Sequence, residues 1–78
     1  MLLCKVTGSV ISTRKNERLQ GCKFLVVQTP EGNNLIAIDQ IGAGVGETVL
    51  VAQGSAARLA APQIDIPVDA AVIGIIDE

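Results

Sequence analysis

Pro67-Val68-Asp69-Ala70-Ala71-Val72-Ile73-Gly74-Ile75-Ile76-Asp77 is the stretch whose reading decides the fold. As an extended strand it would point Val68, Ala70, Val72, Gly74 and Ile76 to one face. Ala71, Ile73 and Ile75 would point to the other. A half-solvated strand alternates apolar with polar residues, and this one is apolar on both faces. The competing reading is a buried helix, because alanine favours helix. The β-branched Val68, Val72, Ile73, Ile75 and Ile76, with Gly74 inside the run, weigh for strand. Both faces then need cover, and a chain of 78 residues has little to spare for the second one. Another copy of the same chain is the simplest source, with Ala71, Ile73 and Ile75 as the expected subunit interface.

Composition points the same way. Hydrophobic residues make up 49% of the chain, against 18% charged, and mean hydropathy is +0.47. In so small a single domain, residues 1–78, this much apolar surface implies a homo-oligomer. No apolar run approaches the ~20 residues of a spanning helix, so no membrane association is expected. The first residues lack the charged-then-apolar plan of a signal peptide, which points to the cytosol. There Cys4 and Cys22 are expected as reduced thiols. With no histidine in the chain, a zinc site lacks its usual ligands, and no metal or other cofactor is expected. The net charge of −2 and a single aromatic, Phe24, weigh against a nucleic-acid surface.

Working outward, residues 2–13 read as a long strand. Leu2, Cys4, Val6, Gly8 and Val10 share its apolar face, and Gly8 marks a bend or a close backbone approach. Residues 14–21 are a charged loop, expected to be a solvated connection, with Leu19 pinning it to the body. Residues 22–28 form a second strand, with Phe24 and Val26 opposite Leu25 and Val27. Thr29-Pro30-Glu31-Gly32-Asn33-Asn34 carries turn chemistry, and residues 35–39 complete a hairpin. Residues 48–53 are a fourth strand. Residues 54–61 read as one or two helical turns, with Ser55 as N-cap and Pro62 as the stop.

Gly42-Ala43-Gly44-Val45-Gly46 invites a phosphate-cradle reading. That motif needs glycine at position 47 and a helix behind it; the chain has Glu47 and then a strand. The glycines instead indicate positive φ, or close approach to another chain, as at the axis of a ring. Ser55 as a nucleophile has no histidine to activate it. Asp39 and Asp69 are flanked by apolar residues, and the expected role of such a carboxylate is structural, bonded to backbone N–H groups or to Arg58. No catalytic constellation emerges, so the chain is not expected to be an enzyme. Five short strands with one short helix between the fourth and fifth suit a mainly all-β, OB-like barrel.

Three segments together resemble the EutN/CcmL family of bacterial microcompartment and carboxysome vertex proteins. They are Gly42-Ala43-Gly44-Val45-Gly46-Glu47-Thr48-Val49-Leu50-Val51, then Gly54-Ser55-Ala56-Ala57-Arg58, then the residues 67–77 quoted above. Val6-Thr7-Gly8-Ser9-Val10 and Gly21-Cys22-Lys23-Phe24-Leu25-Val26-Val27-Gln28 fit the same pattern. The resemblance implies a five-stranded barrel that forms a ring, typically a pentamer. Such a ring caps the corners of a polyhedral shell, in contact with hexameric shell proteins, and catalyses nothing. The turn of Gly42, Ala43, Gly44, Val45 and Gly46 is the expected frame of the ring axis or pore. The alternative from residues alone is an OB-like binding module for oligonucleotide or oligosaccharide, which the acidic pI of about 4.9 disfavours.

Overall fold

The computed structural model describes residues 1–11, 16–61 and 67–77. Five strands close into a barrel in the order β1-β2-β3-β5-β4. They are β1 Leu2–Val10, β2 Lys23–Gln28, β3 Asn34–Asp39, β4 Thr48–Gln53 and β5 Ala70–Ile76, with one helix, α1 Ser55–Leu59, between β4 and β5. All pairings are antiparallel except β3 with β5, which are parallel through Ile38–Ala71 and Asp39–Val72. The expected all-β barrel, its strand count and the helix position are therefore present. The first strand ends at Val10, with Ile11 outside it; residues 12 and 13 of its expected run, residues 14 and 15 of the charged loop and the stop at Pro62 lie outside the described residues.

The barrel interior is filled by Val6, Leu25, Val27, Val49 and Val51, each at most 2% exposed, with Cys4, Ala37, Ala43, Ala70 and Val72 around them. Burying a side chain of this size contributes roughly 1.5–3 kcal/mol. In β2 the period-2 reading holds: Leu25 and Val27 face inward while Phe24 and Val26 stay half-buried outside. A second, smaller cluster lies outside the barrel wall. There α1 places Ala57 over Ile38, Ala71 and Val68, with Leu19, Cys22 and Phe24 at its edge. Leu19 does pin its loop, through a short 3₁₀ turn, Glu17–Leu19, whose start is capped by the Asn16 side chain accepting from Arg18 N–H at 2.9 Å.

Two strands break their own alternation. In β1, Val6 pairs with Val27 and Gly8 with Val26, so Thr7 is an extra residue. In β5, Gly74 pairs with Leu50 and Val72 with Val51, so Ile73 is extra. Each is a β-bulge, and one inserted residue transfers everything beyond it to the opposite face. Gly8 and Val10 therefore do not share a face with Cys4 and Val6, as the alternation had implied. Val10 instead sits beside Phe24 on the outside.

Candidate functional site

The residues expected at a subunit contact are not brought together. Ala71 is 1% exposed and belongs to the cluster beneath α1. Beyond the bulge, Ile75 pairs with Val49, which is wholly buried, and packs against the barrel interior. Of Ala71, Ile73 and Ile75, the bulge leaves Ile73 as the unpaired one. The apolar outer wall is built from other side chains: Leu3 on β1, Leu50 on β4, Ile76 on β5, Phe24 on β2 and Ile36 on β3. Leu3 and Ile36 are each 50% exposed.

The glycine turn is held from within. Asp39, at the end of β3, is buried. Its Oδ1 accepts from Ile41 N–H at 2.9 Å and Gly42 N–H at 3.2 Å. Its Oδ2 accepts from Ala43 N–H at 3.0 Å and lies 3.6 Å from Lys23 Nζ. The expected backbone-bonded carboxylate is thus Asp39, with Lys23 rather than Arg58 as the cation; Asp69 is exposed. Lys23 Nζ also donates to the Ala43 carbonyl at 3.3 Å. Held this way, Ala43 inserts into the core at 1% exposure. Glu47 closes the other half of the turn, its Oε1 accepting from Gly44 N–H. Two backbone bonds tie the turn to β1: Gly46 N–H to the Val6 carbonyl and Val6 N–H to the Glu47 carbonyl, both 2.9 Å.

Gly42 and Gly46 have φ of 91° and 95°, a region that side chains disfavour. Val45 stands out from this turn at 68% exposure. A turn with small residues and one projecting valine can approach a neighbouring backbone closely, and its carboxylates, Asp39 and Glu47, are engaged by backbone N–H groups of the turn itself.

The helix start corrects a further expectation. The N-cap residue is Gly54, with φ 64° and ψ −140°, and no side chain caps the helix. Ser55 is the first helical residue. Gly54 N–H donates to the Asp69 carbonyl at 2.8 Å, so the backbone itself anchors this end against the entry to β5. Both cysteines are free thiols. Burial first, and the charge of Glu31 second, push the Cys4 thiol above its ordinary pKa.

A family model described as "Ethanolamine utilisation protein EutN/carboxysome" matches residues 1–77. The chain belongs to the EutN/CcmL family. Among its relatives, the bacterial microcompartment shell vertex protein GrpN of Rhodospirillum rubrum (strain F11) is 46% identical, over 99% of this chain and 93% of that protein. The carboxysome shell vertex protein CcmL of Synechococcus elongatus is 51% identical, over 99% of this chain and 84% of that protein. The solved structure of the GrpN pentameric microcompartment shell protein from Rhodospirillum rubrum superposes with a TM-score of 0.87 at 45% identity, covering 100% of this chain and 94% of that one. Within the EutN/CcmL fold, the residues that sequence reasoning overlooked are Leu3, Leu50 and Ile36. The available signal was their size alone, since the residues that stand opposite them depend on the register of strands distant in the chain.

Proposed function

We infer that this chain is a shell vertex protein, five copies of which form a ring that closes a bacterial microcompartment at its corners. The observation that carries this reading is the end-to-end likeness to a pentameric shell protein, 45% identical over 100% of this chain. The physical need is geometric. A layer of hexagonal tiles is flat, and pentagonal units introduce the curvature that closes it. A ring of small barrels meets that need without chemistry, and we assign the chain no catalytic step. Its buried carboxylate, Asp39, is engaged by three backbone N–H groups, which is a structural use.

Two finer parts of the reading follow. Hexameric shell proteins of the same cytoplasmic compartment are the partners at the rim. The polar residues among 16–21 of the charged loop, or Asp77 near the C-terminus, supply contacts individually worth about 0–1 kcal/mol, repeated in each copy. The turn of Gly42, Ala43, Gly44, Val45 and Gly46 frames the axis, where its two positive-φ glycines and its carboxylate clamps favour close approach of backbones. The experiment is to delete the gene in the source cell and image its compartments by electron microscopy. Elongated or open shells with normal enzyme content are expected. Closed polyhedra lacking one enzymatic step would overturn the reading.

A further inference from the structure

The outer wall of the barrel carries two apolar tracts, and β1 supplies both because of its bulge. On the first, Leu3 of β1 pairs with Leu50 of β4, and Leu50 with Gly74 of β5. A Cβ on Gly74 would stand 3.6 Å from Leu50 Cδ1, so Leu50 lies flat across β5 where a side chain is missing. Ile76, paired with Thr48, lengthens this tract. On the second, two rows cross β1, β2 and β3: Gly8–Val26–Ile36 and Val10–Phe24–Ile38. Val10, Phe24, Ile36 and Pro67 border a hollow there.

We propose that these tracts are the two halves of one subunit contact. Leu3 and Leu50 of one copy seat in the Val10–Phe24–Ile36 hollow of the next. The occupant follows from the ring reading above, on which this inference rests. A five-membered ring cannot be built from one self-complementary patch; every copy must present two different patches. The areas agree. A standard interface takes about 800 Å² from each partner, so two neighbours would cover about a third of the 4917 Å² surface. Both tracts run across several adjacent strands, whereas of the other exposed apolar side chains Ile41 and Val45 stand on a turn and Leu59 on a helix. The rows Leu3–Leu50–Gly74, Gly8–Val26–Ile36 and Val10–Phe24–Ile38 hold no charged side chain; the charged groups beside them are Asp69, which also lines the hollow, and Lys5, paired with Thr48 at the edge of the first tract, and both are exposed. A row of leucines meets a hollow, and the two lie on different parts of the barrel wall, on opposite sides of the bulge in β1.

The test is native mass spectrometry on wild type, Leu3→Glu, Ile36→Glu and an equimolar mixture of the two variants. Both positions are half exposed, and circular dichroism checks that the barrel is retained; Leu3→Ser and Ile36→Ser repeat the comparison with milder changes. Wild type is expected as a five-membered ring and each variant as a monomer. Each variant keeps one sound tract, so the mixture is expected to give one-to-one heterodimers and nothing larger. An intact ring in either glutamate variant, or a mixture that stays monomeric, overturns the pairing. A wild type that forms no ring overturns the vertex reading with it, which separates the two failures.

Discussion

The carboxylate of Asp39 accepts a hydrogen bond from Ala43 N–H at 3.0 Å, and this bond places a buried methyl group inside a turn that is otherwise on the surface. The same carboxylate takes two more N–H groups, so it substitutes for a strand partner where β3 ends. Its ion pair is the lesser part, because the Lys23 side chain is 53% exposed and a screened pair contributes little. Asp39→Asn keeps the shape but turns an N–H₂ group toward backbone donors. A loss of about 1–3 kcal/mol is expected from the orphaned groups. Urea unfolding measures it, and a loss under about 0.5 kcal/mol, the size of an ordinary surface change, would show that the turn stands without the carboxylate.

Gly46 and Gly44 should respond differently to alanine. Gly46 has φ of 95°, so Gly46→Ala is strained by about 1–2 kcal/mol, although among the described residues no atom beyond its two chain neighbours lies within 4 Å of the new Cβ. Gly44 has no positive φ, and its Cβ would meet only the tip of Glu47 at 3.4 Å. Gly44→Ala is expected to cost less than Gly46→Ala in the same thermal melts. The reverse order would mean that crowding, not backbone conformation, selects the glycines.

At the helix start, Ser55→Ala is expected to be silent, within about 0.5 kcal/mol, because no side chain caps α1. Gly54→Ala should destabilise the fold, since φ 64° with ψ −140° belongs to a region used essentially by glycine, costing about 1–3 kcal/mol. Chemical denaturation of both variants decides it. A Ser55→Ala loss of 1 kcal/mol or more, about the size of a lost N-cap, would restore the serine as the cap.

Cys4 gives a pH dependence with a definite sign. Burial, then Glu31, raise its folded pKa above the unfolded thiol value of about 8.5. The folded chain then keeps a proton that the unfolded chain releases. Its contribution to stability is whole below the unfolded value and is lost as pH rises from there through the folded value. The difference in urea midpoint between wild type and Cys4→Ala should therefore shrink above about pH 8.5. A difference that stays constant to pH 10 would mean that the thiol ionises as freely in the barrel as in the unfolded chain.

Much of this architecture is readable from the chain alone. In β2, Phe24-Leu25-Val26-Val27 alternates regularly and the barrel keeps that alternation. The turn residues Gly32, Gly42 and Gly46 all have positive φ, which glycine chemistry signals locally. Apolar content beyond what one small domain can bury pointed to further copies. The faces of β1 and β5 were decided only by tertiary structure. A bulge is a mismatch between two strands distant in the chain, so neither strand's own pattern contains it. Thr7 and Ile73 have no registered partner, and from those points Val10 turns outward and Ile75 inward. Ala71 is lost to any neighbour because α1, five residues long, lays Ala57 over it. Strand propensity is local and was legible; which face of a strand reaches a partner depends on closure of the barrel.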